Sequence, residues 1–247
     1  MIAPPTSDYL QAYWSDAFDL RSHLQEFLQV NSQSLDDKLA TSQAELAEMG
    51  HRDFDWEQAQ QFYQDQVGEL HILDLAAWHL SSRDYIGDTL RLVDRFACGR
   101  VLDFGGGIGT HTLAAALNPR VEKVIFWDLN PLHRDFVNLR ARHLGLETKV
   151  ICPAQLPESP AYDTIICLDV LEHLPDPTAQ LLHFHRLLAP PGKIILNWYF
   201  FKGFYQEFPF HQDDPALIKR FFSCLQTYFL EVFHPYLITT RCYEKLT

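Results

Sequence analysis

The chain has 247 residues, 47% hydrophobic and 21% charged, with a formal net charge of −12. Residues 1–98 contain 17 Asp and Glu against 6 Lys and Arg, and the remainder contains 15 against 14, so neither part supplies the basic surface that nucleic-acid binding requires. The sequence predicts a globular, cytoplasmic protein with reduced cysteines, because it has no apolar run of membrane-span length, no signal-like N-terminus and no C-x-x-C pair.

The first hundred residues are predicted to be helical, because their apolar residues recur at helical spacing. Ser34 is expected to cap the second helix, with Gly50 as its stop. The expected helical stretches are Asp8–Val30, Ser34–Met49, Asp55–Gln66, Leu70–Leu80 and Asp84–Ala97. We therefore expect residues 1–97 to form a helical cap in front of a second domain, residues 98–247.

After Gly99, short apolar strands alternate with helices, which predicts a parallel sheet with helices on both faces. The expected strands are Val101–Phe104, Val124–Trp127, Lys149–Cys152, Thr164–Leu168 and Lys193–Asn197. The expected helices are Thr110–Leu117, Leu132–Leu144, Thr178–Leu188 and Asp214–Cys224. Two further strands, Thr227–Phe233 and Tyr236–Glu244, are separated only by His234-Pro235 and predict a terminal antiparallel pair.

A glycine-rich turn follows the first of these strands. Asp103, Gly105, Gly107 and Gly109 give the pattern D-x-G-x-G-x-G, and a helix is expected to leave the turn. Bare backbone beside a helix N-terminus lets a ligand approach unpaired N–H groups. A dinucleotide-binding G-x-G-x-x-G would need glycine at Thr110, so the spacing argues against an NAD or FAD enzyme.

A second candidate binding residue is Asp128, which ends the second strand 19 residues after Gly109. A carboxylate at that place can accept both hydroxyls of a ribose lying over the glycine turn, and Leu129 beside it can pack on an adenine. The alternative is that Asp128 caps the helix starting at Pro131. We favour the ribose role because the glycine turn accompanies it.

Four segments of the sequence resemble the successive motifs of class I S-adenosylmethionine-dependent methyltransferases. They are Val101–Gly109, Asp128, Asp163–Leu174 and Arg186–Leu196. Within that class, Asp-Val-Leu-Glu-His-Leu followed by Leu-Leu-x-Pro-x-Gly is most similar to the small-molecule group that includes the ubiquinone and menaquinone methylating enzymes. The resemblance covers about residues 98–245. It implies a Rossmann-like seven-stranded sheet, mostly parallel with an antiparallel last strand.

The resemblance also implies roles for individual residues. The glycine turn would line the methionine part of S-adenosylmethionine, with Asp103 steering its ammonium group. Asp128 would hold the ribose, and Leu129 would flank the adenine. Asp169 and Val170 would lie near the sulfonium. An acidic residue that many relatives carry after strand three is missing, and the backbone of Ala154 or the amide of Gln155 is the expected substitute. The implied cofactor-binding set is Asp103, Gly105, Gly106, Gly107, Gly109, Asp128, Leu129, Ala154, Gln155, Asp169 and Val170.

A general base is needed only if the methyl acceptor must lose a proton, and histidine is the usual base near neutral pH. His211 ends an aromatic loop, Tyr199–His211, which could cover an apolar or aromatic acceptor, and His173 lies in the cofactor motif. Both also have the alternative of ordinary packing. We expect no metal, although Asp213, Asp214 and His211 form a remote candidate. Four other histidines are expected on helix surfaces or in the core: His71, His79, His183 and His185.

The sequence thus predicts an enzyme that transfers a methyl group to oxygen or carbon of a small, apolar or aromatic acceptor. The family's Asn-Pro-Pro-Tyr type motif is absent after strand four, which argues against amide-nitrogen and nucleobase methylation. Two alternatives stay open. One is a binding or regulatory module that keeps the cofactor site, and the other is an S-adenosylmethionine-using enzyme without methyl transfer. The sequence leaves monomer and homodimer undecided.

Overall fold

The computed structural model describes residues 8–49, 58, 61–157, 162–205, 208 and 210–247. Its first part is helical, as predicted. The helices are α1 (Asp8–Asp16), α2 (Leu20–Leu28), α3 (Ser32–Met49), α4 (Gly68–Ser81) and α5 (Arg83–Phe96), with a π-helical turn at Phe62–Gln66 before α4. Gly50 and residues 55–57 and 59–60 of the predicted third helix lie outside the described residues.

The prediction of one helix over Asp8–Val30 was wrong, because the chain breaks between α1 and α2. Ala17, Phe18 and Asp19 have φ angles of 57°, 58° and 56°, a left-handed turn that interrupts the helix. Ala17 and Phe18 are nevertheless buried, so the helical spacing of apolar residues continues across the break. Ser34 is not the cap of α3. The Asn31 side chain accepts the Ser34 backbone N–H, which places the cap three residues earlier.

The second part forms a seven-stranded sheet. Its strands are β1 (Gly99–Phe104), β2 (Val121–Trp127), β3 (Val150–Ile151), β4 (Tyr162–Cys167), β5 (Leu188–Leu196), β6 (Phe229–Val232) and β7 (Arg241–Lys245). The connecting helices are α6 (Thr110–Leu117), α7 (Pro131–His143), α8 (Pro177–Leu187) and α9 (Pro215–Tyr228). A short 3₁₀ turn, Leu171–His173, follows β4.

The strand order is β3-β2-β1-β4-β5-β7-β6, with β1 to β5 parallel and β7 antiparallel to both of its neighbours. This confirms the predicted Rossmann-like sheet. The chain winds outward from β1 to β3 and then returns to β4, so the carboxyl ends of β1 and β4 adjoin where the winding reverses. Ligands of open α/β sheets bind at such a crevice.

The terminal strand pair is shorter than predicted. β7 begins at Arg241 and not at Tyr236, so the connection from β6 is much longer than His234-Pro235. In that connection the His234 ring contacts the Thr240 carbonyl, and Leu237 is almost fully exposed. Exposed backbone of this kind cannot belong to a central strand, although its apolar and β-branched residues gave it a strand-like pattern.

One hydrophobic core joins the N-terminal helices to the sheet. Leu10 and Leu24 belong to the same buried cluster as Val101 and Val124, and a second cluster covers the other face of the sheet. Arg140 of α7 is completely buried at this junction. Its guanidinium donates to the carbonyls of Ala17 and Ile108, each at 2.8 Å, and so connects the α1–α2 break to the glycine turn.

Two further observations concern the predicted environment of the chain. All five cysteines are free thiols, in line with the expected reduced state. Among the described residues, no helix has the combined length and apolar character that crossing a bilayer requires.

Candidate functional site

The glycine turn lies at the point where β1 meets β4. Gly105 and Gly107 have φ angles of 70° and 53°, which L side chains rarely adopt. A Cβ on Gly105 would lie 2.4 Å from Val170 Cγ2, at the end of β4. Gly109, with φ at 77°, instead allows α7 to pack closely against the turn, because a Cβ there would lie 2.5 Å from a Val137 methyl of that helix. The turn therefore needs glycine for its conformation and for close packing.

Asp103 lies beneath this turn and is almost fully buried. The Thr112 hydroxyl of α6 donates to its carboxylate, and a Cβ on Gly106 would come within 2.8 Å of the same oxygen. Burial raises the pKa of Asp103 to about 7, although the Thr112 hydrogen bonds oppose the shift. A positive ligand group beside Asp103 would favour its ionised form.

Asp128 is held by the backbone at the end of β2. Gly107 N–H donates to one carboxylate oxygen, and Asn130 N–H donates to the other, each at 2.9 Å. The buried His133 ring lies 3.0 Å from the second oxygen. Burial raises the pKa of Asp128, but His133 and the two amides outweigh it, so the pKa is lowered. The carboxylate is therefore ionised and held in one orientation.

The structure argues against the helix-cap alternative for Asp128. The cap of α7 is Asn130, whose side chain accepts the Leu132 backbone N–H at 2.9 Å. Three of the four lone pairs of the Asp128 carboxylate face Gly107, Asn130 and His133, so one lone pair on the Gly107-bound oxygen is left for a ligand.

A cavity of about 620 Å³ joins the glycine turn to the helical first part. Most of the predicted site residues line it: Asp103, Gly105, Gly106, Gly107, Asp128, Leu129, Asp169, Val170, His173 and His211. Gly109, Ala154 and Gln155 are not among the lining residues. Ala154 and Gln155 are exposed on the segment after β3, so the predicted adenine contacts are not part of the cavity wall in this structure.

Asp169 continues the cavity wall after β4. Its backbone N–H donates to the Asn197 side-chain oxygen at 2.6 Å, and the Asn197 amide donates back to its carboxylate at 2.7 Å. Asp169 has a φ of 55°, and this reciprocal pair holds it in that unusual conformation. Burial raises the pKa of the Asp169 carboxyl, and the Asn197 hydrogen bond opposes the shift. The role of Asn197 as this partner was not predicted.

The two predicted candidate bases lie together in the cavity lining, with ring centroids of His173 and His211 4.6 Å apart. Glu172, almost fully buried beside them, was not predicted. One ligand atom from each of these three residues lies within 4.8 Å of the others. Nδ1 of both histidines and Oε2 of Glu172 are buried without a hydrogen-bond partner. Three ligand groups this close together can share a proton or, when Glu172 is ionised, hold a divalent cation.

The pKa values of this group are strongly shifted. Burial raises the pKa of Glu172 to about 8. Burial, together with the neighbouring His211, lowers the pKa of His173 to about 3. Burial also lowers the pKa of His211, and hydrogen bonding to the backbone of Tyr199 and Phe201 opposes the shift. Both rings are therefore neutral at pH 7 and able to accept a proton. The remote set of Asp213, Asp214 and His211 is not brought together, since Asp214 caps α9.

An aromatic wall surrounds these histidines. The ring of Phe208 stacks on His211 with centroids 5.0 Å apart, and Tyr199 meets the same ring at 5.7 Å. From the other side, Tyr63 of the π-helical turn lies 6.2 Å from the His173 ring. The described residues of the predicted covering loop thus contact the group that the helical first part approaches.

Three more cavity histidines escaped the sequence analysis. His71 and His79 of α4, expected on a surface or in the core, both line the cavity, and so does His111 of α6. Helical periodicity left His71 and His79 on a helix surface or in the core, and it could not show that their helix bounds a cavity. His183 and His185 are on α8 and are not among the lining residues.

Comparison with known proteins adds a family relationship. A family model described as a methyltransferase domain matches residues 77–202, about half of the chain. Ubiquinone biosynthesis O-methyltransferase of Xanthomonas oryzae pv. oryzae is 33% identical over 124 residues, which cover 46% of this chain and 47% of that protein. The enzyme of the same name from Alkalilimnicola ehrlichii is 31% identical over 102 residues, 40% of each chain. The matches thus span about half the length of these relatives.

Solved structures share the fold. N-methyltransferase NodS from Bradyrhizobium japonicum, in complex with S-adenosyl-L-homocysteine, matches with a TM-score of 0.55 and 16% identity, over 72% of this chain and 95% of that one. Geranyl diphosphate C-methyltransferase from Streptomyces coelicolor matches with a TM-score of 0.54 and 14% identity, over 74% and 86%. At these identities, the likeness concerns the fold.

Proposed function

Because the chain belongs to the class I S-adenosylmethionine-dependent methyltransferases, we propose that it methylates an oxygen or an acidic carbon of a small, apolar or aromatic acceptor. One observation carries the proposal. A single cavity is lined by the glycine turn, by Asp128 and by the neutral His173–His211 pair. A cofactor site and a group able to take a proton thus open into the same space.

We assign the cofactor side of the cavity to five residues. Asp128 would accept one ribose hydroxyl through its remaining lone pair, and Leu129 would pack on the adenine. The bare backbone of Gly105 and Gly107 would let the methionine part lie close, with the ionised Asp103 near its positive charge. When bound, S-adenosylmethionine supplies an electrophilic methyl group on a sulfonium.

The other residues would align the acceptor and remove its proton. The Tyr199 and Phe208 rings, with Tyr63 opposite, offer aromatic surfaces against which a flat apolar acceptor can be oriented and shielded from water. His211 would take the acceptor proton on Nδ1, the buried nitrogen that has no partner. A divalent cation held by Glu172, His173 and His211 would instead lower the pKa of an acceptor hydroxyl. In either case, the proposal favours acceptors that become anionic.

Binding of S-adenosylhomocysteine tests the proposal first. We expect calorimetric titration of the purified protein to give a dissociation constant in the micromolar range, which corresponds to a binding free energy on the order of −8 kcal/mol. Titration with NAD should give no heat of binding. Incubation with S-adenosylmethionine and a panel of phenols, enols and carboxylates should then give a methylated product. Absence of S-adenosylhomocysteine binding would contradict the cofactor assignment. Binding without turnover of any acceptor would favour the regulatory alternative.

The pKa of Asp103 makes a second test possible. Its raised pKa of about 7 means that the ligand-free protein carries a proton there at pH 6, and a cationic ligand group would displace that proton. We therefore expect the affinity for S-adenosylhomocysteine to rise with pH by about fivefold between pH 6 and pH 7, by a further factor of about two up to pH 8, and then to level off. Titrations in buffers of different ionisation enthalpy should detect the released proton. Asp103→Asn is the control and should remove the pH dependence. A pH dependence that persists in this variant would come from another group.

A further inference from the structure

Two histidines on the cavity wall, His79 of α4 and His111 of α6, play no part in the proposed function so far. Their ring centroids are 6.1 Å apart, and each side chain is more than nine-tenths buried. Both line the same cavity as Asp103 and the glycine turn. Each ring uses one nitrogen in a hydrogen bond to a buried threonine, which leaves the other nitrogen for a ligand.

Thr89 determines the tautomer of His111. The Thr89 hydroxyl donates its only hydrogen to the Ile86 carbonyl at 2.7 Å, so its contact with His111 Nε2, also 2.7 Å, must be one in which the ring donates. His111 therefore carries its proton on Nε2. Its Nδ1 is unprotonated and carries a lone pair, so this nitrogen can accept a hydrogen bond from a ligand.

Thr110 determines the tautomer of His79, and here the ring accepts the hydrogen bond from the threonine. Among the described residues, the buried Thr110 hydroxyl has His79 Nδ1 as its hydrogen-bond partner, at 3.0 Å. A buried hydroxyl without another acceptor donates to the one it has, so His79 Nδ1 is the acceptor and Nε2 carries the proton. Tyr13 donates to the His79 carbonyl and supports this end of α4. His79 can therefore donate a hydrogen bond to a ligand through Nε2–H.

We propose that His79 and His111 bind the two ends of an α-amino acid zwitterion, His79 Nε2–H donating to the carboxylate and His111 Nδ1 accepting from the ammonium. This inference rests on the proposed function, in which the ligand is the methionine part of the cofactor. A hydrogen bond of about 2.9 Å places each bound ligand atom about 4 Å from a ring centroid. Two rings 6.1 Å apart can therefore reach neighbouring groups of one amino acid.

Electrostatics agree with this assignment. Burial lowers the pKa of His111 to about 4 and that of His79 well below its ordinary value, so both rings are neutral at pH 7. An imidazolium at either place would repel the ammonium and the sulfonium of the ligand. A donor and an acceptor of no net charge instead match a zwitterion, and the Asp103 carboxylate adds a negative charge near the ammonium.

The experiment compares two ligands that differ by the amino acid. S-adenosylhomocysteine has it, and 5′-methylthioadenosine lacks it. We expect His79→Phe and His111→Phe each to weaken S-adenosylhomocysteine binding by about tenfold and to leave the affinity for 5′-methylthioadenosine within about twofold, in calorimetric titrations. The conservative variants H79Q, which restores a donor, and H111N, which restores an acceptor, should recover most of the loss. His143→Phe, an exposed site outside the cavity, is the matched control.

Each outcome bears on the inference in a distinct way. Equal losses for both ligands would show that the histidines only shape the cavity, and unchanged affinities would show that they do not contact the ligand; either result overturns the inference alone. Wild-type protein that binds neither ligand would overturn the proposed function and the inference with it. If the Phe variants do not fold, Thr89→Val is the second test. Without the threonine, the tautomer of His111 is no longer determined, and binding of S-adenosylhomocysteine alone should weaken, by about threefold. Imidazole ¹⁵N spectra should show both rings protonated on Nε2.

Discussion

Alanine in place of His211 is expected to lower kcat by about 100- to 1,000-fold, in the range that general base catalysis contributes, while S-adenosylhomocysteine affinity stays within about twofold. The reason is that His211 lines the cavity and that its buried Nδ1, which has no hydrogen-bond partner, can take the proton of the methyl acceptor. Initial rates with the acceptor found by screening, and calorimetry with S-adenosylhomocysteine, measure the two quantities separately.

His143→Ala is the matched control for this prediction, because the His143 ring is exposed and pairs with Glu26 far from the cavity. A His211 variant with an undiminished kcat would rule out the proposed base. His173→Ala shows whether the neighbouring ring shares the role. Treatment with a chelator separates the two uses of the Glu172–His173–His211 group, since only a bound cation makes the wild-type rate sensitive to it.

Asp128→Ala is expected to weaken S-adenosylhomocysteine binding by roughly 30- to 100-fold, as the loss of a hydrogen bond to a charged group should. The 5′-methylthioadenosine affinity should fall equally, because both ligands carry the ribose. The carboxylate also fixes Gly107 N–H, so part of the loss comes from a less ordered glycine turn. Calorimetry with both ligands tests the expectation.

The control for the change of charge is Asp135→Ala, which removes an exposed carboxylate from the same helix, α7. That variant should bind both ligands like the wild type. Thermal unfolding of the two variants should confirm that they fold. An Asp128 variant with unchanged affinity would contradict the ribose assignment, and a loss confined to S-adenosylhomocysteine would move Asp128 to the methionine end.

Much of the sheet domain could be predicted from the sequence, because its signals are local. The glycine turn requires glycine where φ is positive, and the apolar runs around it mark buried parallel strands. The helix after the turn was predicted with its observed limits, Thr110–Leu117. Asp128 was recognised by its distance from the turn, and the structure places it beside Gly107.

The histidines of the cavity could not be predicted in the same way. His79 and His111 are 32 positions apart, and only tertiary packing brings their rings together. Their tautomers depend on Thr110 and Thr89, ordinary helix residues in the sequence. Glu172 lay in a recognised motif, but nothing in its neighbours showed that its carboxyl is buried next to His211. Convergence of distant elements has no local sequence signal.

Errors at the two ends of the chain have a different cause. Between α1 and α2, the spacing of Ala17 and Phe18 fits a continuous helix because both stay buried through the left-handed turn. Near the C-terminus, Tyr236 and Ile238 look strand-like, although the strand begins only at Arg241. In both places the hydrophobic pattern indicates which residues are buried or apolar. It does not indicate where the chain turns, and the turns decide where a helix or a strand ends.

The buried Arg140 connects the N-terminal helices to the sheet domain. Its guanidinium links the α1–α2 break to Ile108 beside the glycine turn. Truncating the chain before α3 would remove the Ala17 carbonyl and leave a buried cation short of an acceptor, at a cost of several kcal/mol. The penalty would fall on the loop next to the cofactor. A minimal catalytic fragment made by trimming the N-terminal helices would therefore lose ligand affinity along with stability, even though none of the described residues before α3 lines the cavity.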